Sequence, residues 1–304
     1  MAFLLTFLGI LGVILTFSYF SYRTVFFASR KNRGPAPKFE SQRFEDYRSE
    51  LLQLSEALEQ RSFEAVTIFS QDGLRLYGRY YENQKGPIVI CFHGYRSNPM
   101  ADFAASSELF TRLGYSLLIV DQRAHWHSEG ISITFGLRER LDVQSWAEYA
   151  ADRWPQRKII LYGVSMGGAA VLMASDLPLP ENVMGIIADC PYSSPKEIIC
   201  RVGEHQKRHT KLMWPFIRLG AKVYGGFFIQ ETTAAKAVSA SPLPILIFHG
   251  EADLFVPPEM SEEAAKANPE KVKRFTFPGA KHTLSIMADP EKYENCVRAF
   301  LNSL

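Results

Sequence analysis

The sequence predicts an α/β protein in which helices cover both faces of an eight-stranded, mostly parallel sheet. Apolar runs of strand length alternate with helical segments through residues 63–304, which is the pattern of a sheet built from strand–helix–strand units. The later runs are almost wholly apolar, as strands buried on both faces must be. The strand candidates are residues 64–69, 74–81, 87–92, 115–120, 158–162, 183–188, 244–248 and 274–277.

The first two strand candidates predict a hairpin joined near Gln71-Asp72-Gly73. Helical segments at residues 139–154 and 290–301 are expected to cover the sheet. Residues 192–241 interrupt the alternation and predict a helical cap insertion rich in basic and large apolar side chains. This insertion is either a solvated helix pair packed on the sheet or a cap that touches anionic lipid head groups or admits an acyl chain.

Residues 1–22 contain no charged side chain and are dominated by Phe, Leu, Ile and Val, so they can span a bilayer as one helix. Aromatic residues suited to the interface end this stretch: Tyr19, Phe20 and Tyr22. A cleaved signal peptide is the alternative, but no basic segment precedes the apolar run and no small-x-small cleavage site follows it. The basic residues that follow predict a single-pass anchor in the cell membrane with the remaining chain in the cytoplasm; they are Arg23, Arg30, Lys31 and Arg33.

Residues 23–62 are predicted to form a juxtamembrane segment with a helix of its own. Gly34-Pro35-Ala36-Pro37 breaks helical structure. Apolar residues then recur every three or four positions and make one stripe: Phe44, Tyr47, Leu51, Leu54 and Leu58. The stripe can dock onto the main domain, pair with a second copy or lie on the membrane, and all three alternatives remain open. The predicted organisation is therefore an anchor at 1–22, this segment at 23–62 and one domain at 63–304.

The peptide Gly163-Val164-Ser165-Met166-Gly167 lies between a predicted strand and a helix start rich in small residues. A chain that turns this tightly from strand to helix strains its apex residue and points the apex side chain outward, so it needs small neighbours. Ser165 is that apex residue. Its hydroxyl is therefore predicted to be a nucleophile at the carboxyl edge of the sheet.

A serine nucleophile needs a base, and the base needs a carboxylate that orients it. Asp253 follows the strand candidate at 244–248 and His282 follows the last strand candidate, so the order serine, acid, histidine suits this chemistry. Asp189, after the candidate at 183–188, is the alternative acid, and Glu251 is interpreted as a turn residue. The other histidines have structural, surface or pocket-lining interpretations: His93, His125, His127, His205, His209 and His249.

An oxyanion hole completes the predicted site. The buried strand candidate at 87–92 ends in His93 and Gly94, and a glycine there lets the backbone turn so that the N–H of Tyr95 points inward. The N–H of Met166, just after the nucleophile, is the second predicted donor. Both donors are main-chain groups.

These motifs resemble those of the α/β-hydrolases, in particular the branch of membrane-anchored esterases and lysophospholipase-like enzymes, over residues 64–304. Four segments carry the resemblance: His-Gly-Tyr-Arg-Ser-Asn at 93–98, Gly-Val-Ser-Met-Gly-Gly at 163–168, His-Gly-Glu-Ala-Asp at 249–253 and Gly-Ala-Lys-His-Thr at 279–283. The resemblance implies the α/β-hydrolase fold. It also implies a catalytic triad of Ser165, Asp253 and His282.

One loop departs from the pattern of these families, which often have Asp-x-Arg-Gly-x-Gly-x-Ser-x-Gly where this chain has residues 121–130. Ala124 and Trp126 replace two of the glycines. Because this loop usually borders the pocket, Trp126 and His127 become candidate substrate-binding residues.

The predicted function is a serine hydrolase that cleaves carboxylic esters, lipid acyl esters included, through an acyl-enzyme intermediate. A peptidase or thioesterase with the same triad and a non-catalytic binding scaffold are the alternatives. No cofactor or metal is predicted, because the cysteines are far apart and show no Cys-x-x-Cys spacing: Cys91, Cys190, Cys200 and Cys296. No nucleic-acid partner is predicted, and the oligomeric state is left open.

Overall fold

The computed structural model describes residues 1–28, 39–84 and 86–304. Its centre is one sheet of eight strands: β1 (Glu64–Phe69), β2 (Arg75–Tyr81), β3 (Ile88–Phe92), β4 (Ser116–Asp121), β5 (Ile159–Val164), β6 (Val183–Asp189), β7 (Ile245–Gly250) and β8 (Val272–Phe277). The strand order is β1-β2-β4-β3-β5-β6-β7-β8. β2 pairs antiparallel with β1 and with β4, and all other pairs are parallel. The predicted mostly parallel sheet is confirmed.

The predicted strand ends lie within two residues of the observed ones. β5 and β7 each run two residues further than predicted, because Val164 still pairs with Asp189 and Gly250 still pairs with Phe277. Since β3 and β5 to β8 are parallel, their carboxyl ends lie along one edge of the sheet. The loops that carry the predicted site residues all start from this edge.

The structure describes these α-helices: α1 (Ala2–Val25), α2 (Arg48–Gln60), α3 (Pro99–Asp102), α4 (Ala104–Arg112), α5 (Glu139–Arg153), α6 (Met166–Met173), α7 (Pro195–His205), α8 (Thr210–Gly220), α9 (Ala234–Ser239), α10 (Pro258–Lys266), α11 (Ser285–Ala288) and α12 (Pro290–Leu301). Several of them cover the two faces of the sheet. Side chains of α5, α6, α9 and α10 join one apolar core, and those of α4 and α12 join the other. Alternate residues of β3 enter the two cores, so this strand is buried on both sides.

The N-terminal helix α1 passes the predicted boundary at residue 22 and includes Arg23. By length and composition α1 could cross a membrane. Its end is built into the domain, because Phe26 is fully buried and the Ala28 N–H donates to the Ile131 carbonyl oxygen at 2.8 Å. The predicted linker at 34–37 and the basic residues Arg30, Lys31 and Arg33 lie outside the described residues.

The predicted juxtamembrane helix is docked on the domain. A short 3-10 turn over Gln42–Tyr47 leads into α2, which packs against α3 and α4. Leu51 and Leu58 of the predicted stripe are buried, and Leu51 joins a small cluster with Phe39 and Leu284. Of the three alternatives for this stripe, the structure supports docking.

The predicted cap contains two kinds of helix. α9 packs against α6 and therefore belongs to the cover of the sheet. α7 and α8 instead lie beyond the edge where the site residues meet, and α8 packs mainly against α1. A π-helical turn over Ala221–Gly225 connects α8 to the rest of the domain. The cap helices therefore contact the N-terminal helix, a packing partner that the sequence pattern did not indicate.

Candidate active site

Ser165 lies directly after β5, and its backbone angles are φ 54° and ψ −112°. Such a positive φ is disfavoured for any residue with a side chain. The turn closes only because its neighbours are glycines: a Cβ on Gly163 would lie 2.2 Å from the Gly167 carbonyl oxygen, and a Cβ on Gly167 would lie 1.8 Å from the Phe92 carbonyl oxygen. The Ser165 N–H donates to the Asp189 carbonyl oxygen at 2.8 Å. These contacts hold Ser165 at the carboxyl edge of the sheet.

The three residues of the predicted triad lie together. His282 Nε2 is 3.0 Å from Ser165 Oγ, and His282 Nδ1 is 2.5 Å from Asp253 Oδ2. An imidazole with its proton on Nδ1 donates to Asp253 and accepts from the Ser165 hydroxyl. All three residues are buried, so their mutual interactions are shielded from water.

Asp253 is held by backbone groups as well as by the imidazole. Its Oδ1 accepts from the N–H groups of Phe255 at 2.9 Å and of Val256 at 2.8 Å. Burial raises the pKa of this carboxyl, but the charge of His282 and the hydrogen bonds from His249, His282 and Val256 outweigh burial and hold the pKa well below its usual range. Asp253 is therefore a permanently charged partner for the imidazole.

His282 is held in the neutral form that a general base needs. Burial lowers the pKa of His282, the charge of Asp253 and its hydrogen bond raise it, and the charges of Arg43 and His249 lower it again. The net effect is a pKa of His282 below the usual histidine value. Arg43 belongs to the 3-10 turn before α2, so the docked juxtamembrane segment contributes to the electrostatics of the site.

The alternative acid and several of the other histidines have partners elsewhere. The carboxylate of Asp189 accepts from Ser285 Oγ at 3.1 Å, and burial raises its pKa to about 6. His249 Nε2 lies 2.9 Å from the Val256 carbonyl oxygen, and His93 Nε2 accepts from the Gln122 N–H at 3.1 Å. Asp253 is therefore the carboxylate that reaches His282.

The two predicted oxyanion donors belong to segments that adjoin Ser165. Met166 is the first residue of α6, and the first N–H groups of a helix have no acceptor within the helix. On the other side, a Cβ on Gly94 would lie 3.5 Å from Ser165 Cβ, and the Gly94 N–H donates to Asp102 Oδ2 at 2.7 Å. This bond anchors the turn that carries Tyr95 beside Ser165.

The loop at residues 121–130 has the backbone conformation of a glycine-containing loop, although Ala124 and Trp126 replace two of the glycines. Ala124 and Trp126 have φ values of 62° and 43°. The Trp126 indole N–H donates to the Ser97 carbonyl oxygen at 3.0 Å, and His127 Nδ1 lies 2.9 Å from Asp121 Oδ2. Neither residue is among those that line the cavity beside Ser165. Their role as candidate substrate-binding residues stays a prediction.

A cavity of about 460 Å³ adjoins Ser165, and it is called the Ser165 cavity here. Its walls come from α7 and α8, from the loop residues Tyr95, Phe135 and Phe255, and from α1. The sequence interpretation missed the α1 residues, which are Phe17, Phe20, Ser21, Thr24 and Val25. One signal for them exists: hydroxyl residues recur every third position at Ser18, Ser21 and Thr24, which indicates a helix face that meets protein rather than lipid.

Cys190, Asp253 and His282 place three potential metal ligands within 4.8 Å of one another. Both imidazole nitrogens already lie at hydrogen-bond distance from Ser165 and Asp253. Burial, together with the charges of Asp189 and Asp253, raises the pKa of the Cys190 thiol well above its usual value, whereas a metal needs the thiolate. The donor chemistry of this cluster fits a hydrogen-bonded triad better than a metal centre.

Comparisons with known proteins agree with the fold. The family model described as serine aminopeptidase, S33 (Hydrolase_4) matches residues 83–242. The solved structure of the esterase Pf2001 of Pyrococcus furiosus superposes with a TM-score of 0.66 at 22% identity, over 88% of this chain and 97% of that chain. The fold and family model define an α/β-hydrolase, and the chain belongs to the serine aminopeptidase S33 family.

Relatives of similar length are found in bacteria and yeast. The protein YqkD of Bacillus subtilis is 23% identical over 253 residues, which is 82% of each chain. The membrane protein YNL320W of Saccharomyces cerevisiae is 24% identical over 242 residues, which is 79% of each chain.

Proposed function

We propose that this hydrolase is a serine esterase in which Ser165 is the nucleophile, His282 the general base and Asp253 the residue that orients the base. The observation that carries the proposal is the chain of hydrogen-bond distances from Ser165 through His282 to Asp253, at a serine held in a strained turn. A strained apex hydroxyl that borders a cavity and has a neutral base at 3.0 Å suits nucleophilic attack.

In the proposed reaction, His282 Nε2 takes the Ser165 proton while Oγ attacks the ester carbonyl carbon. The N–H groups of Tyr95 and Met166 stabilise the oxyanion. The tetrahedral intermediate then collapses, and the imidazolium gives its proton to the leaving alcohol. Water, deprotonated by His282, attacks the acyl-enzyme and releases the carboxylic acid. Asp253 stabilises the imidazolium in both halves, so ester and water yield acid and alcohol.

The lining of the Ser165 cavity favours esters over the peptides that the family description suggests. An aminopeptidase substrate carries a positive α-amino group, which needs a negative partner when it is desolvated. Among the described residues that line the cavity none is acidic, whereas Arg96 and Arg208 are positively charged. Most of the remaining wall is apolar, which suits an acyl chain.

We also propose that α1 is a single membrane span with the catalytic domain on the cytoplasmic side. Support comes from its length and apolar composition. The outer side chains of its first four turns are exposed in the structure and would face lipid; they include Phe3, Leu4, Leu5, Phe7, Leu8 and Ile10. Arg23 at its end agrees with the positive-inside rule.

The test of the esterase uses the full-length protein in detergent micelles. A short-chain fluorophosphonate probe is expected to label the wild type but not Ser165→Ala, and p-nitrophenyl ester turnover is expected to fall by about 10⁴-fold or more. Ser175→Ala is the matched control, because Ser175 is also buried, lies just beyond α6 and does not line the cavity.

Substrates with different leaving groups then distinguish the esterase from the alternative functions. Preferred cleavage of thioesters or of aminoacyl amides by wild type, lost in Ser165→Ala, would replace the esterase by a thioesterase or a peptidase. A folded wild-type protein that the probe does not label would contradict the nucleophile and favour a binding scaffold.

A further inference from the structure

The N-terminal helix forms part of the catalytic cavity in addition to its proposed role as an anchor. Five side chains of its last three turns line the Ser165 cavity, as described above. The stretch from Phe17 to Val25 corresponds to about 12 Å of helix. The part of α1 that borders the cavity is therefore as long as an extended acyl segment of several methylene groups. An enzyme that used α1 only as a tether would have no cavity wall there.

Close packing holds α1 in this position. Gly220 of α8 meets α1 so closely that a Cβ on it would lie 2.3 Å from the Ser18 carbonyl oxygen. Ser18 is fully buried at this crossing. The Tyr224 hydroxyl donates to the Leu15 carbonyl oxygen at 3.2 Å, and the hydroxyl groups of Tyr22 and Ser132 lie 2.6 Å apart. Small residues at a helix crossing and polar bonds across it are typical of stable packing between membrane helices.

The end of α1 also contacts the loop of the proposed oxyanion hole. The Tyr95 hydroxyl donates to the Val25 carbonyl oxygen at 3.4 Å, and Arg96 Nη2 donates to the Phe27 carbonyl oxygen at 3.1 Å. The Tyr95 ring stacks on Phe135 with ring centroids 5.1 Å apart. The wall made by α1 and the catalytic loop are therefore parts of one packed unit.

The cavity has a polarity gradient that matches a lipid. Toward α1 and α8 most of its lining is apolar, although Ser21, Thr24 and Thr210 add hydroxyl groups. Phe17 and Phe20 both line the cavity and remain 50% and 63% exposed on the outside. If α1 spans the bilayer, these two rings separate the cavity from the acyl chains of the membrane. Toward the turn between α7 and α8 the lining becomes polar, at Gln206, Arg208 and His209.

We infer that α1, α7 and α8 form the acyl-chain subsite, and that the chain of a membrane lipid ester reaches Ser165 sideways from the bilayer past Phe17 and Phe20. The substrate class is a long-chain acyl ester of a lipid whose ester group lies at the membrane interface. This inference rests on the proposed esterase function. It adds that the N-terminal helix selects the substrate.

The first experiment measures kcat/KM of the full-length protein in micelles with p-nitrophenyl esters from acetyl to palmitoyl. Burial of each added methylene is expected to raise wild-type kcat/KM by about fourfold until the cavity is full. Ser21→Phe places a ring in the cavity, and it is expected to lower the ratio of kcat/KM for long esters to kcat/KM for the acetyl ester by about tenfold or more. Ser21→Ala, which adds no volume, is the control.

Thr24→Trp is a second filling variant, since Ser21→Phe could disturb the helix packing. Thr24 lines the cavity and is exposed, so a larger ring can be accommodated without displacing the core. Its control is Thr6→Trp, which lies 18 residues earlier on the same helix and therefore on the same face, five turns away. Equal changes for short and long esters, or no change in either filling variant, would overturn the assignment of α1 to the acyl subsite.

The second experiment tests the sideways path. The protein is reconstituted in vesicles that contain a fluorogenic long-chain ester lipid, or is mixed with separate vesicles that hold the same lipid. Hydrolysis is expected to be at least about tenfold faster when enzyme and lipid share a bilayer. Equal rates would contradict access from the membrane. If the fluorophosphonate probe does not label the wild-type protein, the proposed esterase function itself is contradicted. The two failures are therefore distinguishable.

Discussion

At the scale of single residues, the charges around His282 are expected to decide at which pH Ser165, the proposed nucleophile, can be activated. The imidazole must be neutral to take the serine proton, so kcat/KM falls as the pH decreases through the pKa of His282. Burial, Arg43 and His249 lower this pKa, and Asp253 raises it. The acid limb of the pH profile is therefore expected below about pH 6.5, the value of an unperturbed histidine.

Removal of the Arg43 charge tests this balance. In Arg43→Met the imidazolium loses a repelling neighbour, and any water admitted by the change also favours the charged form. Both effects raise the pKa of His282, so the acid limb of kcat/KM is expected to move to higher pH. Lys281→Met is the control, since Lys281 is next to His282 in sequence but its ammonium group is exposed to water. A limb that stays in place in Arg43→Met, or moves equally in Lys281→Met, would contradict the electrostatic account.

At the scale of elements, the crossing of α1 and α8 determines the shape of the cavity. Gly220 allows the two helices to approach until the backbone of α1 touches it, and α8 carries Met213 and Ile217 into the cavity wall. Phe17 and Phe216 add a ring contact at 5.6 Å beside this crossing. Any side chain at position 220 must push the helices apart.

Gly220→Val is expected to destabilise the protein by about 1–3 kcal/mol through overpacking. It should also widen the cavity, so that the preference for long esters weakens while labelling of Ser165 by a small probe persists. Thermal unfolding in micelles and the acyl-length series measure the two effects. Gly12→Val is the matched control, because Gly12 also lies in one of the two helices but a Cβ on it would meet no heavy atom of another element within 4 Å. If both variants behave alike, the crossing does not shape the site.

At the scale of the whole molecule, α1 has two separable parts. Its first half is exposed and would face lipid, whereas its second half continues into the core through Tyr22 and Phe26. The Phe26 ring packs edge-on against Phe135 and Phe227, with ring centroids 5.9 and 5.1 Å away. The proposed anchor and the catalytic domain are therefore one structural unit.

Two truncations are expected to separate these parts. A chain without residues 2–12 keeps the packed half of α1, so it should fold and retain its preference for long acyl chains. It should no longer span a bilayer, because the roughly 13 remaining helical residues are too few. A chain without residues 2–28 loses two large buried aromatic side chains, each worth about 3–5 kcal/mol, and should not fold stably. Flotation with vesicles, thermal unfolding and probe labelling report the outcomes. Equal stability of the two truncated chains would show that α1 is only a tether.

The orientation of the chain in the membrane is tested with the full-length protein, which carries a C-terminal tag and is exposed to external protease in intact cells. A tag that external protease cannot reach agrees with a cytoplasmic domain, and a tag that is cleaved contradicts it.

The sequence alone determined the sheet, the order of the candidate site residues and the position of the proposed nucleophile. These features depend on local rules: apolar runs make buried strands, and Gly163 and Gly167 permit a turn that strains Ser165. Ala124 and Trp126 show how far such rules reach, because both adopt the positive φ of the glycines that they replace. Their side-chain directions did not follow from the same rules.

Only the tertiary structure decided what surrounds Ser165. Three features depend on how segments far apart in the chain pack together. They are the effect of Arg43 on His282, the bond between the Trp126 indole and the Ser97 carbonyl oxygen, and the cavity wall contributed by α1. An apolar stretch such as residues 1–22 satisfies the requirements of a bilayer span whichever way it faces. Which of its faces meets protein is decided by close contact at Ser18 and Gly220, and that contact exists only after α1 and α8 are brought together by the fold.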